Sequence, residues 1–426
     1  MSLNDRNQLK NNSIWHFIAV ISILIAILSL VSPQVKLFGR GLRTTLPAMF
    51  VSFFAISIIS PMAFIRAFFR FWPTFIVAFL FFVQAALRFV HEDFNTYQLW
   101  HAYVIGPIIA FTLLLWIAAL AELNEDSILR LRSWILFGWC LSLAVSLPVL
   151  INNFGVARLT MGNKFAQQNL VIWAPYGIAE YHVYTALAIC MAPLFVITRH
   201  YTTAFGRWIS LMLLCMASAA VLLSTFTMAS VLLILSLITA LIVWIKIKRG
   251  FARLLRILLV LFLIAQIPFF YTQAKMFPQT EFVVAKVERL YQGISSSGLE
   301  KGDETDRGKM FMDSMRSFVE NPILGYIPGL QGKRGHGHSS FGDSLAFFGI
   351  FGTVLWVFVL FFVFIDFFRH TRTIVDRRVL IIGWVIMILG GILNPTWHSP
   401  VVLTPLFALT IPYKNKLLCS MPSVME

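Results

Sequence analysis

The sequence has little charge for its length. Only 12% of its 426 residues are Asp, Glu, Lys or Arg, whereas 58% are hydrophobic, and the mean hydropathy is +0.80. A soluble globular protein needs about twice that share of charged residues. The composition therefore excludes a soluble globule and predicts an all-α polytopic membrane protein, folded as one membrane domain over residues 1–426.

Cysteine is also scarce, and its placement excludes the usual cysteine chemistry. The cysteines lie in or beside apolar runs, with no C-x-x-C spacing; they are Cys140, Cys190, Cys215 and Cys419. This placement is typical of side chains that pack in an apolar interior, not of disulfides or metal ligands. The cysteines therefore imply no cofactor.

Acidic residues are few, 19 against 34 Lys and Arg, and the net charge is +15. The basic residues form short clusters at the ends of apolar runs, without interleaved aromatics or a polar domain to carry them. That pattern indicates membrane topology and no nucleic-acid partner. Membrane lipids are the expected surroundings. Because no small-residue cleavage site follows the first apolar run, we expect that run to be retained as an anchor.

A transmembrane helix needs about twenty mostly apolar residues. Twelve runs fit this description: 15–32, 46–65, 72–90, 100–121, 134–152, 178–198, 208–225, 229–247, 254–271, 344–367, 379–394 and 399–413. The polar break at 224–227 supplies the turn between two of them. The last two runs are short, so one of them either spans the membrane or is re-entrant.

The positions of Lys and Arg predict the orientation, because short cytoplasmic loops retain positive charge. With the N-terminus inside, the inner connections carry nearly all the clusters, as at 66–70, 246–256 and 369–378. Lys36, Arg40 and Arg43 are the exception. The rule predicts cytoplasmic N- and C-termini and an external polar stretch, 272–343, between the ninth and tenth runs. In a Gram-negative cell that stretch faces the periplasm.

This large loop is where we expect chemistry, because a membrane protein places charged and imidazole groups most cheaply where water reaches them. Helical spacing of apolar residues at 281–291 and, more clearly, at 308–319 predicts a small helical cap. Asn321-Pro322 is a stop signal for the second helix.

Arg307 stands one residue before that second predicted helix. An Arg at a helix N-terminus is unfavourable for the macrodipole, so its presence suggests a ligand. Its guanidinium fork matches a phosphate or a diphosphate. The alternative is an ion pair with an acidic neighbour: Asp303, Glu304 or Asp306.

The second candidate site is the pair His336 and His338 at the end of the loop. A histidine with a pKa near neutrality can accept a proton from an attacking sugar hydroxyl. The alternatives are a solvated pair without a role, or a metal site, for which Asp343 is the only nearby acid. Gly349 and Gly352 in the next run are interpreted as a small-residue helix contact.

A third and weaker candidate is the earlier outer connection from Arg158 to Gln168, which includes Lys164. It is polar enough to line a glycan site. An ordinary surface loop would have the same composition.

Taken together, the second half of the chain resembles the O-antigen ligase and polymerase family of bacterial membrane glycosyltransferases. Members carry His, then Asn, Ser or Gln, then nine residues and Gly-x-x-Gly. Here that signature stands as His338, Ser339, Gly349 and Gly352. The family's upstream element, an Arg, a helix and Asn-Pro-x-x-Gly-Tyr, is similar to the segment from Arg307 to Tyr326. In both cases the elements sit in a large outer loop before a late span.

The resemblance implies a GT-C-like bundle of about twelve transmembrane helices that transfers a glycan from undecaprenyl diphosphate to lipid A-core. The reaction would be metal-independent and inverting, with Arg307 neutralising the diphosphate and His338 orienting or deprotonating the acceptor hydroxyl. Further substrate contacts are assigned to His336, Arg334, Arg158, Lys164 and Ser339.

One departure concerns the outer turn between two adjacent spans, where the family commonly has an Arg. Here Met228 stands in the segment 224–230, which contains no Arg. The diphosphate would then be held by other cations, or the activity differs or is lost. The candidates are Arg307, Arg158, Lys164 and Arg334.

Other functions remain open at this point. If the acceptor is another lipid-linked repeat unit, the protein is a polymerase of O-antigen, capsule or exopolysaccharide. A transporter or flippase usually shows internal symmetry and ionisable residues at the midplane, whereas here the ionisable groups gather outside. Glu180 and His182, near the outer end of a span, are the only counter-evidence. A structural membrane protein would leave His336, His338 and Arg307 unexplained.

Overall fold

The computed structural model describes residues 3–32, 34, 42–88, 100–153, 156–160, 166–197, 204–224, 226–245, 304–326, 339–371, 374–393 and 396–412. Every regular element in these ranges is helical, so the all-α fold class is confirmed. The helices are α1 (Leu3–Val31), α2 (Leu42–Ile59), α3 (Pro61–Arg70), α4 (Trp72–Arg88), α5 (Gly106–Leu123), α6 (Glu125–Asn152), α7 (Val156–Leu159), α8 (Ala166–Trp173), α9 (Tyr181–Ile197), α10 (Ala204–Leu223), α11 (Thr227–Ile245), α12 (Glu304–Glu320), α13 (Ser340–His370), α14 (Ile374–Leu393) and α15 (Pro400–Thr410).

Helices lie on each predicted apolar run except 254–271, which falls outside the described residues together with the predicted helix at 281–291. Among the described residues, four helices are long and apolar enough to cross a membrane: α1, α5 with the π-helical turn before it, α6 and α13. The bent pair α2 and α3 is a fifth candidate. The fold therefore fits a polytopic membrane protein, and the number twelve stays a prediction.

The predicted run 46–65 is two helices and not one. α2 ends at Ile59, Ser60 is extended (φ −163°), and α3 begins at Pro61, with a bend of 109° between the helices. Proline lacks an N–H group and disfavours helical backbone at the residue before it, which explains the break. The pair forms either a broken span or a re-entrant loop.

Large apolar side chains cover the outside of the bundle. Phe50, Phe54, Phe69, Phe79 and Leu87 are 61% to 70% exposed. In water, such a surface would promote aggregation. Lipid tails are as apolar as these side chains, so the same surface is stable in a bilayer.

α15 lies in the interior and packs against α5 and α9; Val402 to Thr410 are all buried. Eleven residues rise about 16 Å, roughly half of the hydrocarbon thickness. Its C-terminal carbonyl groups therefore need partners inside the protein. Arg132 of α6 supplies them, because its Nε donates to Ala408 O at 3.1 Å and its Nη2 donates to Ile411 O at 2.6 Å.

α3, α5 and α13 finish together at one end of the bundle, which we name the Asp366 end. The Arg70 guanidinium binds the Asp366 carboxylate at 2.8 Å and lies 3.6 Å from Glu122. His370 Nδ1 lies 3.1 Å from the other Asp366 oxygen. Ion pairs of this kind compensate charges in a largely buried setting. Their location agrees with the predicted topology, which places Arg70 and Arg369 on the same side.

Candidate functional site

α13 is broken at Gly349, within the predicted Gly-x-x-Gly element. Gly349 has φ +62° and ψ −166°, a conformation that L side chains rarely adopt. A Cβ atom there would collide with the backbone of Ile323 and Gly325. Gly349 is therefore needed both for its backbone angles and for the close approach of another chain segment.

That segment is the Asn-Pro-x-x-Gly-Tyr turn, residues 321–326. Its backbone pairs with the groups that the break in α13 leaves open. Tyr326 N donates to Ala346 O at 2.9 Å, Ile350 N to Pro322 O at 2.8 Å and Phe351 N to Ile323 O at 3.1 Å. Two motifs that are separate in the sequence therefore form one structural unit.

The glycines of these motifs differ in their surroundings. Gly325 has φ +76°, and a Cβ atom there would collide with the backbone of Phe347 and Phe348. The interpretation of Gly349 as a helix contact is wrong, because it faces the 321–326 turn. Gly352 does meet a neighbouring helix: it lies against the side chain of Gln84 in α4, whose Nε2 donates to Phe348 O at 2.9 Å.

The predicted helix at 308–319 is confirmed, as is its end before Asn321-Pro322, since α12 ends at Glu320. α12 begins at Glu304, however, so Arg307 lies in its first turn and not before it. The acidic residues Glu304 and Asp306 explain the early start, because negative charge is favourable at the positive end of the helix dipole.

Asp343 joins three helical elements at the end of the bundle opposite the Asp366 end. Its side chain lies in the first turn of α13 and is only 2% exposed. Ser314 Oγ of α12 donates to Asp343 Oδ1 at 3.3 Å. The hydroxyl of Tyr103, in the π-helical turn before α5, also hydrogen-bonds to this carboxylate. We name Asp343, Ser314 and Tyr103 the Asp343 cluster.

The beginning of α13 is fixed by two serine hydroxyls. Ser339 is the N-cap: its Oγ accepts from Gly342 N at 3.2 Å and donates to Ile392 O at 2.7 Å. Ser340 Oγ accepts a hydrogen bond from Trp397 N at 2.9 Å. The chain immediately after His338 is therefore held against the end of α14 and the connection that follows it. The role of Ser339 in substrate binding stays a prediction.

The structure describes the other predicted site residues only in part or not at all. His336, His338, Arg334 and Lys164 lie outside the described residues, and of Arg158 and Arg307 the structure describes the backbone, in α7 and α12. Arg307 lies seven residues before Ser314 in α12, about two turns. Because Ser314 contacts Asp343 in the first turn of α13, α12 lies at the end of the bundle where Ser339 begins that helix.

His398, in the connection between α14 and α15, was not identified as a candidate from the sequence. Its ring stacks on Trp356, with centroids 4.4 Å apart, and meets the Tyr103 ring edge-on at 4.7 Å. Burial lowers the pKa of His398 to about 3, so its imidazole is neutral at physiological pH. This histidine is part of the aromatic packing beside the Asp343 cluster.

The sequence indicates Asp343 only as a possible metal ligand and does not indicate Ser314 or Tyr103 as site residues. One signal in the sequence points to Asp343: it is an acidic residue at the edge of an apolar run. No signal of this kind marks Ser314 or Tyr103, because their contacts with Asp343 are long-range.

The turn where the resembling family has an Arg is aromatic in this chain. α10 ends at Leu223 and α11 begins at Thr227, as the polar break predicts. The Phe226 ring contacts Tyr181 at 5.3 Å and Tyr184 at 5.7 Å between centroids.

Within the part of the chain that is described, no three His, Cys, Asp or Glu side chains are grouped to hold a metal ion. No protein-family model, no curated protein and no solved structure matches this chain.

Proposed function

We propose that this chain is a membrane glycosyltransferase of the O-antigen ligase type, which transfers a glycan from undecaprenyl diphosphate to lipid A-core. About twelve transmembrane helices would hold the lipid-linked donor in the inner membrane, with both termini cytoplasmic. The site would face the periplasm, beneath the loop 272–343. The expected substrates are the lipid-linked glycan and a lipid A-core acceptor.

The observation that carries this proposal is the packing of the 321–326 turn into the break at Gly349. These are the two elements on which the resemblance depends, and three backbone hydrogen bonds join them. Such a junction fixes α12 relative to the beginning of α13. It supports a site in which a group on α12 and a group just before α13 act on one substrate.

The chemistry follows from the residue types assigned to that site. The acceptor hydroxyl oxygen attacks the anomeric carbon and forms the new glycosidic bond. The bond from that carbon to the diphosphate oxygen breaks, and the diphosphate leaves with the electron pair. His338 takes the hydroxyl proton, and Arg307 stabilises the charge on the leaving diphosphate. Attack from the face opposite the leaving group inverts the anomeric configuration.

The same site would serve a polymerase, in which the acceptor is another lipid-linked repeat unit. A lipopolysaccharide gel of a deletion strain separates the two. Full-length chains left on the lipid carrier indicate a ligase, whereas a single repeat on the core indicates a polymerase.

The proposal is tested by His338→Ala and Arg307→Ala, assayed for glycan transfer in membranes. We expect each to lower transfer by at least about 100-fold, the usual contribution of a general base or a charge-stabilising group. Arg316→Ala is the matched control, because Arg316 lies on the same helix, is 72% exposed and should retain activity. Near-wild-type transfer by both the His338 and Arg307 variants would overturn the assignment.

A further inference from the structure

α12 has the opposite orientation to an ordinary amphipathic helix. It turns hydroxyl groups inward, where Ser314 and Ser317 are 2% and 1% exposed. It turns apolar side chains outward, where Met312 and Val319 are 55% and 73% exposed. Amphipathic helices on soluble proteins bury their apolar side, so the outward apolar side of α12 requires an apolar environment of its own.

The outward residues form one surface. Met312 and Val319 are seven residues apart, about two turns, and so lie on one side of the helix. Arg316, 72% exposed, lies between them on the same side, and its long aliphatic stem lets the guanidinium reach the head groups from an apolar surface. In the turn after α12, Ile323 and Leu324 are 69% and 51% exposed. We name these four apolar residues the apolar stripe.

The apolar stripe is continuous with the outside of the transmembrane bundle. Hydrogen bonds from Phe351 N to Ile323 O and from Ile350 N to Pro322 O place the turn directly on α13. Ile350 and Phe351 are each 51% exposed, and they belong to the part of α13 after the break. That part carries exposed apolar residues along its length, among them Val354, Val357 and Phe361. In a membrane-embedded bundle, such residues contact lipid tails.

We propose that the apolar stripe inserts into the lipid bilayer, so that α12 is an interfacial helix seated on the outer edge of the membrane. The lipid that covers Ile350 and Phe351 extends over Ile323 and Leu324, and then over Val319 and Met312. Helices with one apolar and one polar side bind membrane interfaces in this way. Lipid is the occupant that the continuity with α13 favours over a second protein.

The inward side of α12 then faces the Asp343 cluster while the outward side is held by lipid. This arrangement keeps the first turn of α12, which contains Arg307, near the level of the lipid head groups. The proposal depends on the chain being embedded in a membrane and does not depend on the transfer reaction. A failure of the transfer assay leaves it unchanged.

The test uses nitroxide accessibility in the full-length protein, reconstituted in vesicles of phosphatidylethanolamine and phosphatidylglycerol. The native cysteines are first replaced, and single cysteines are then introduced as Val319→Cys, Ile323→Cys and Glu320→Cys. Each is labelled, and its collision rates with oxygen and with a water-soluble nickel chelate are compared. Glu320 is the matched control, since it is one residue from Val319 along the axis but about 100° around the helix.

We expect the ratio of oxygen to nickel accessibility to be several-fold higher at positions 319 and 323 than at 320, because oxygen concentrates in the hydrocarbon. A ratio at 319 and 323 equal to that at 320 would mean exposure to water and would overturn the proposal. Low accessibility to both reagents at 319 and 323 would also overturn it, because another protein segment or a second copy would then cover the stripe. Quenching of a fluorophore at the same positions by brominated lipids provides a second measurement if a labelled variant reconstitutes poorly.

Discussion

Each end of α13 contains an aspartate with little exposure to solvent, and the two are held differently. Asp366 binds the Arg70 guanidinium at 2.8 Å and lies 3.1 Å from His370, with its side chain 12% exposed. Asp343, at 2% exposure, is held by the hydroxyl groups of Ser314 and Tyr103. At the Asp366 end, charge pairing closes a junction of three helices. At the other end, the Ser314 hydroxyl group attaches α12, a helix from the large loop, to Asp343.

The difference shows that one type of side chain serves two purposes within one helix. A contact between two opposite charges is stronger than a hydrogen bond from a neutral hydroxyl group to one charge. The Arg70–Asp366 contact at 2.8 Å is therefore stronger than the Ser314–Asp343 hydrogen bond at 3.3 Å, which sets the position of α12. The break at Gly349 lies between them, and the following predictions separate the three contributions.

The largest effect is expected for Gly349→Ala. A methyl group there meets the backbone of Ile323 and Gly325, at a φ of +62° that disfavours L residues. We expect a loss of more than about 3 kcal/mol in the free energy of unfolding, since steric overlap adds to the strain. The measurement is thermal unfolding in detergent. Gly390→Ala is the control, since its nearest neighbours would be 3.3 Å or more away. Equal stability of the two variants would contradict the role assigned to the break.

A smaller but substantial effect is expected for Asp366→Ala, which leaves the largely buried Arg70 guanidinium without its closest carboxylate. We expect a loss of about 2 kcal/mol, measured as above, because Arg70 then keeps the longer contact with Glu122 at 3.6 Å and is only partly compensated. Asp313→Ala is the control: Asp313 pairs with Arg316 at 3.7 Å, but Arg316 is 72% exposed, so its loss should cost about 0.5 kcal/mol. If the two variants lose the same stability, the Asp366 end is no stronger than a surface pair.

The smallest effect is expected for Ser314→Ala, which removes one hydrogen bond from the Asp343 cluster. We expect a loss of about 1 kcal/mol, with faster tryptic cleavage after Arg316 because α12 is held less tightly. Ser317→Ala is the control: Ser317 is equally buried, but its hydroxyl donates to Asp313 O in the same helix at 2.9 Å. Faster cleavage in the Ser317 variant than in the Ser314 variant would show that Asp343 does not hold α12.

Local features of the fold could be predicted from the sequence. The apolar runs predict where most of the described helices lie, although α1 and α6 begin well before the runs 15–32 and 134–152, at Leu3 and Glu125. The polar break at 224–227 predicts the turn between α10 and α11. Asn321-Pro322 predicts the end of α12, because proline cannot continue a helix. The bend at Ser60 and Pro61 was missed, since the hydrophobicity of the run 46–65 continues through it. For the candidate site, the sequence identified both motif elements but not Asp343, Ser314 or Tyr103 as their link.

By itself, the sequence determined that this chain is helical and has the composition of a membrane protein. Hydrophobic runs, prolines and N-capping residues determine the structure of the residues next to them, so their effects can be predicted locally. Only the tertiary structure decided that the 321–326 turn fills the break at Gly349, that Asp343 attaches α12, and that the apolar stripe faces outward. These contacts join residues that are far apart in the chain. The partners of an open backbone group or of a carboxylate depend on which segments the tertiary structure packs together. Local sequence patterns do not predict those partners.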